Sequence, residues 1–130
     1  MRLSIHLAIG MLAVLLGAMP VAASTQAPFD QTVLTAAQTA GKPILIAVHA
    51  PWCPVCAKQT PVINALAATE DFKDLVILTI DFDSQKDLLK TFGVQKQSTL
   101  IVMHGKAERD RSTGVSDPDA IKTLLLKSKS

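Results

Sequence analysis

The chain has 130 residues, which is the size of a single domain. Its 13 Lys and Arg residues against 11 Asp and Glu residues leave a formal net charge of +2, which is too small to favour nucleic acid or an anionic membrane as a partner. Its two cysteines exclude both a scaffold with several disulfides and a four-thiolate zinc site within one chain.

Residues 1–23 have the pattern of a secretory signal peptide. Arg2 precedes an apolar stretch over residues 7–19, and small residues lead to Ala23. The apolar stretch spans about 13 residues, fewer than the roughly 18 to 20 needed to cross a bilayer, so a signal peptide is favoured over a membrane anchor. We expect cleavage after Ala23, export to the periplasm or by another secretory route, and one domain over residues 24–130 without a membrane contact.

The first half of this domain predicts two helices around a buried strand. Asp30 is a good N-cap for a helix over about 31–40. Pro43–His49 is a continuous apolar run rich in β-branched residues, which is typical of a strand buried on both faces. A second helix is predicted from the cysteine pair to about Ala68, and Pro61 is expected either to kink it or to make its first turn stand apart.

The second half predicts three more strands and two more helices. They are a strand at 75–83, a helix capped by Ser84 and ending near Phe92, a strand at 99–104, a polar edge strand near 108–113, and a helix capped by Asp117 that ends near Lys127. Asp81 and Asp83 are expected to cap the helix that follows them. The order of elements predicts an α/β domain with a central mixed sheet of about four strands flanked by about four helices.

The chemistry of the chain is expected at the motif Trp52-Cys53-Pro54-Val55-Cys56, where the buried strand gives way to a helix. This position places Cys53 at a helix N-terminus, whose N–H groups and positive dipole end favour the thiolate. Cys56 follows one turn later and is shielded by the helix. We therefore expect Cys53 to attack or be attacked, Cys56 to resolve the mixed disulfide, and the Pro54-Val55 pair to set the redox potential.

Two further interpretations of the cysteine pair remain open beside thiol–disulfide exchange. One is a binding module for a soft metal such as Cu(I) or Zn²⁺, held by Cys53 and Cys56 with His49 and the opening beside Ser98. Two thiolates alone are an incomplete zinc site, so this interpretation needs a third ligand or a dimer. The other is a purely structural disulfide, which is disfavoured because so short a loop restrains the unfolded chain little.

Further residues stand at fixed positions around the motif. They are Trp52 before the first cysteine, Pro61 five positions after the second, Phe92-Gly93-Val94 before a strand, the Gly105-Lys106 turn, and Gly114 before the last helix. With these residues the chain resembles the thioredoxin family over essentially all of residues 24–130. The resemblance implies a thioredoxin fold, two-electron exchange through the cysteine pair, no organic cofactor, and protein or peptide thiols and disulfides as substrates. We also expect a monomer served by an upstream redox partner protein.

One departure from the family lies in the loop that faces the cysteine pair. The family normally has a cis-proline where this chain has Ser98, between Gln97 and Thr99. A cis bond before any other residue costs about 2.5–4 kcal/mol, so the Gln97–Ser98 bond is either trans or strained. Ser98 also brings a hydroxyl and an N–H that proline lacks, and we expect Ser98 and Thr99 to support the site.

A second departure concerns proton transfer. The family carries a buried carboxylate and often a lysine on its central strands, at the positions of Ala47 and Ile77 in this chain. His49, three residues before Trp52, is the nearby candidate that remains, because an imidazole accepts and releases protons near neutral pH. We expect His49 to accept the proton of Cys56, and a packing role at the strand end is the alternative.

Overall fold

A computed structural model describes residues 17–18 and 23–130 of the chain. The elements in chain order are β1 (Thr25–Pro28), α1 (Gln31–Thr39), β2 (Pro43–His49), α2 (Pro54–Ala67), β3 (Val76–Asp81), α3 (Lys86–Phe92), β4 (Thr99–His104), β5 (Ala107–Thr113) and α4 (Pro118–Leu126), with short 3-10 helices at Glu70–Phe72 and Lys127–Lys129. The predicted signal peptide, residues 1–23, lies outside the described residues except for 17–18 and 23. No helix within the described part is long and apolar enough to cross a membrane.

The strands form one mixed sheet in the order β1-β3-β2-β4-β5. Strands β1 and β2 run parallel to β3, whereas β4 is antiparallel to β2 and to β5. The predicted α/β class and mixed sheet are confirmed. Strand β1 is the addition, because a four-residue edge strand that ends in Pro28 and is mostly exposed carries almost none of the apolar alternation that identifies a strand in sequence.

Both faces of the sheet are buried, because successive side chains of the central strands point to opposite sides. The cluster on the face covered by α1 and α3 includes Leu34, Ala37, Ile44, Ile46, Val48 and Leu89. The cluster on the face covered by α2 and α4 includes Leu45, Ile63, Ala67, Val102, Ile121 and Leu125. Strand β2 supplies side chains to both clusters, so its carboxyl end, from which the cysteine motif departs, is fixed by packing on each side.

The start of α3 differs from the prediction. Ser84 does not cap the helix; the N-cap is Gln85, which makes no side-chain cap hydrogen bond. Ser84 donates instead, from its N–H and its hydroxyl, to Asp81 Oδ1, each at 2.8 Å. The hydroxyl bond from Ser84 is the main cause that holds the pKa of the Asp81 carboxyl below its usual value. The prediction was wrong because Ser84 belongs to a local turn that Asp81 closes, and α3 begins only after Gln85.

Candidate active site

The two cysteines lie where β2 gives way to α2. Cys53 is the N-cap of α2, and its Sγ accepts a hydrogen bond from the Cys56 N–H at 3.1 Å. The two side chains form a disulfide, and only 2% of Cys53 and 1% of Cys56 are exposed. One N–H at the positive end of the helix is therefore directed at the Cys53 sulfur, where it stabilises negative charge.

Two prolines mark the helix that carries the cysteines. Pro54 occupies the first turn of α2, where the missing N–H breaks no helical hydrogen bond. Val55 is partly buried and packs against the buried cysteines. Helix α2 continues through Pro61 to Ala67, so its first turn does not stand apart from the rest of the helix.

Trp52 presents an exposed aromatic surface beside the disulfide. Its side chain is 56% exposed, and its indole Nε1 donates to Asp83 Oδ2 at 2.9 Å. The indole meets the Phe82 ring edge-on, with 6.2 Å between centroids, and Lys86 Nζ lies 4.2 Å from the centroid of the same ring. Asp83 therefore orients Trp52. The prediction that Asp83 caps α3 is wrong, because the N-cap of that helix is Gln85. Because Asp83 and Phe82 fix its orientation, the exposed Trp52 ring offers a preformed contact surface.

The loop that faces the cysteines contains no cis bond, so the Gln97–Ser98 bond is trans. Ser98 has a φ of 59°, and among the described residues it is the only non-glycine residue with a positive φ. A left-handed conformation costs a residue with a Cβ about 1–2 kcal/mol. Ser98 N–H donates to Val48 O at 2.9 Å, and Ser98 O accepts the Gly114 N–H at 3.1 Å. These backbone bonds hold the loop in a conformation that serine by itself disfavours.

Thr99 anchors the start of β4. Its Oγ1 donates to Lys96 O at 2.8 Å and lies 2.9 Å from Thr113 Oγ1. Thr99 is buried, so these bonds satisfy a hydroxyl that has little access to water. Thr99 supports the loop from the strand side and makes no hydrogen bond to either cysteine.

Gln59 holds the same loop from the helix side, and the sequence-based predictions did not include it. It is 3% exposed, and its Nε2 donates to Ser98 O at 3.1 Å and to Val115 O at 2.7 Å. The buried residues of α2 are Cys56, Gln59, Ile63 and Ala67, which follow helical spacing. A polar side chain on that face is the signal that identifies Gln59, since a buried amide requires partners.

A cavity of about 180 Å³ lies behind Cys56. Its lining includes Ala47, His49, Cys56, Gln59 and Thr60. The small side chain of Ala47 leaves this space open, and the cavity is large enough to hold water between polar groups. His49 and Cys56 therefore border the same cavity and make no direct hydrogen bond to each other.

The alternative of a soft-metal site lacks a ligand set in the described part of the chain. No group of three or more His, Cys, Asp or Glu side chains there is arranged to hold a metal ion. Cys53 and Cys56 are joined to each other, and His49 is not grouped with them. The third ligand that this interpretation requires is not supplied by residues 17–18 and 23–130.

Comparisons with known proteins agree with the fold. A family model described as Thioredoxin matches residues 20–127. A thioredoxin of Chlamydia muridarum is 36% identical over 84 residues, which cover 65% of this chain and 80% of that protein. The protein disulfide-isomerase erp38 of Neurospora crassa is 43% identical over 83 residues, which cover 62% of this chain and 21% of that protein. The crystal structure of Trxlp from Edwardsiella tarda matches with a TM-score of 0.76 at 38% identity, covering 78% of this chain and 98% of that one. The chain belongs to the thioredoxin family.

Proposed function

We infer that the protein is a thiol–disulfide oxidoreductase that acts on protein or peptide thiols and disulfides through Cys53 and Cys56. The observation that carries this conclusion is the disulfide at the N-terminus of α2, with the Cys56 N–H directed at Cys53 Sγ. Family membership supports it, since the similar proteins include thioredoxins and a protein disulfide-isomerase. The pair itself carries the two electrons, and the reaction needs no further cofactor.

The two cysteines act in sequence. In the reductive direction the Cys53 thiolate attacks a substrate disulfide, which forms a mixed disulfide and releases one substrate thiolate. The Cys56 thiolate then attacks the Cys53 sulfur, which forms the Cys53–Cys56 disulfide and releases the second substrate thiolate. The substrate gains two electrons and the cysteine pair loses two. Trp52 beside the pair supplies the contact surface on which a substrate chain rests.

We propose that His49 accepts the proton of Cys56 in the second step. The shared cavity supports this role, because water within it can connect the imidazole to the Cys56 sulfur. Replacing His49 by phenylalanine is expected to slow resolution of the mixed disulfide and to leave the attack by Cys53 unchanged. Stopped-flow measurements of both steps between about pH 6 and pH 8 test this. Equal resolution rates for the two proteins across that range would exclude the role.

We also propose that the protein works after export. The support is the pattern of residues 1–23, with cleavage after Ala23. A hydrogen bond from Ser24 Oγ to Ala67 O at 2.9 Å attaches the first residue after that point to the domain. In this setting the protein acts as a monomer that receives or delivers electrons through a second redox protein in the same compartment.

Equilibration with glutathione tests the proposed function. The purified protein is incubated at a series of ratios of reduced to oxidised glutathione, and its free thiols are trapped and counted by mass. We expect a single two-electron transition between dithiol and disulfide, with a potential between about −270 and −120 mV. Protein that stays in one state across the series, or that fails to reduce or oxidise a model protein substrate, would contradict the proposal. Metal analysis of anaerobically purified protein is the control for the soft-metal alternative.

A further inference from the structure

The carbonyl oxygen of Val48 connects the loop at Ser98 to the resolving cysteine. It accepts the Ser98 N–H at 2.9 Å and lies 3.9 Å from Cys56 Sγ. When the disulfide is reduced, Cys56 carries an S–H group, which is a weak donor. A carbonyl oxygen can accept two hydrogen bonds through its two lone pairs, but the first bond withdraws electron density from the oxygen and weakens the second. The Ser98 N–H and the Cys56 thiol therefore share one acceptor in the reduced protein. Any change at Ser98 alters how well Val48 O stabilises that thiol.

Gln59 fixes Ser98 in this arrangement. Both N–H groups of its buried amide are used, one on Ser98 O and one on Val115 O. Gln59 lies three residues after Cys56 in α2, so one helical turn carries both the resolving sulfur and the amide that holds the loop. The left-handed φ of Ser98 shows that the loop is held there against the preference of the residue.

We propose that Gln59 is a positioning residue that sets the reduction potential of the Cys53–Cys56 pair, an inference that rests on the proposed function. By holding Ser98 O, it keeps the Ser98 N–H on Val48 O, where that N–H weakens the hydrogen bond available to the Cys56 thiol. Without the amide, Ser98 O keeps only the Gly114 N–H, so the loop relaxes, the Ser98 N–H moves away from Val48 O, and that oxygen becomes a better acceptor for Cys56 S–H. The reduced form is then more stable relative to the disulfide.

The variant Gln59→Met tests this, because methionine keeps the length and volume of the side chain and removes both donors. We expect its equilibrium constant with glutathione to move towards the dithiol by about threefold to tenfold, which is the effect of one hydrogen bond. A tenfold change corresponds to a potential about 30 mV less negative. Gln31→Met makes the same chemical change on the exposed surface of α1 and is expected to keep the wild-type potential.

The outcomes separate the two proposals. If the wild type does not equilibrate with glutathione, the proposed function fails. If the wild type equilibrates, two results for Gln59→Met overturn the role of Gln59. One is an equilibrium constant with glutathione within twofold of the wild-type value, and the other is a shift of that constant towards the disulfide. A shift of equal size in Gln31→Met would also overturn it.

A measurement on the unmodified protein tests the same coupling should Gln59→Met fail to fold. Amide hydrogen exchange of Ser98 is followed by NMR in the disulfide and dithiol forms, with Gly105, whose N–H donates to Lys42 O at 2.9 Å, as the internal control. We expect the Ser98 amide to exchange several-fold faster in the dithiol form, because the Cys56 thiol then competes for Val48 O. An unchanged Ser98 rate between the two forms would overturn the proposal.

Discussion

Replacing Cys53 by serine is expected to abolish disulfide exchange, whereas replacing Cys56 by serine is expected to trap the first intermediate. A serine hydroxyl at position 53 stays protonated near neutral pH and cannot replace a thiolate held at a helix N-terminus. With Cys53 intact and Cys56 replaced, the attack still occurs and no sulfur is present to release the substrate. The two variants thus stop the reaction at different steps.

The measurement is incubation of each reduced variant with an excess of a model protein disulfide, followed by non-reducing electrophoresis and mass analysis. Cys56→Ser should accumulate a covalent adduct with the substrate that reducing agent reverses, and Cys53→Ser should accumulate none. Wild type treated with a thiol-blocking reagent is the control for adducts that do not pass through the pair. Exchange activity retained by Cys53→Ser, or a stable adduct on Cys56 in that variant, would reverse the assignment of roles.

The parts of the fold that the sequence predicts are those with strong local patterns. Pro43–His49 is apolar up to its last residue and forms a central strand at the predicted bounds, with Ile44, Leu45, Ile46 and Val48 buried. Asp30 and Asp117 are good N-caps: at the start of its helix Asp30 accepts two backbone N–H groups and Asp117 accepts one. The position of the cysteine pair at a strand-to-helix junction could be predicted, because the pair comes soon after this strand and opens the next helix. In each case the residues of one short segment are enough to predict the element.

The parts that escaped prediction depend on contacts between distant segments. Strand β1 exists because β3 offers it a parallel edge, and its four residues carry no such signal. The sequence does not determine the isomer of the Gln97–Ser98 bond, since local energetics allow either a trans bond or a strained cis bond. In the structure the bond is trans, and Ser98 is hydrogen-bonded to Val48 and Gln59, which lie far away in the chain. A single sequence does not show which distant backbone carbonyl a donor will reach, because every residue carries the same carbonyl group.

A proline at position 98 should be harmful, because Ser98 has a left-handed backbone conformation that proline cannot adopt. Proline fixes φ near −65°, whereas Ser98 has a φ of 59°, and proline removes the N–H that reaches Val48 O. The lost donor costs about 1–3 kcal/mol and the backbone mismatch adds about 1–3 kcal/mol. We expect Ser98→Pro to lower the free energy of unfolding by about 2–6 kcal/mol.

Ser98→Gly is the matched variant, because glycine keeps the N–H and accepts a positive φ. Removing the Cβ relieves left-handed strain, which raises the free energy of unfolding by about 1–2 kcal/mol. The greater conformational freedom of glycine in the unfolded chain lowers it by about 0.5–1 kcal/mol. This variant should be at least as stable as the wild type in urea unfolding of the oxidised protein, with an unchanged dependence on denaturant. A proline variant as stable as the glycine variant would mean that the loop tolerates another backbone geometry. The opposite result, a stable glycine variant and an unstable proline variant, would locate the requirement in the left-handed backbone and its N–H, and not in the serine hydroxyl.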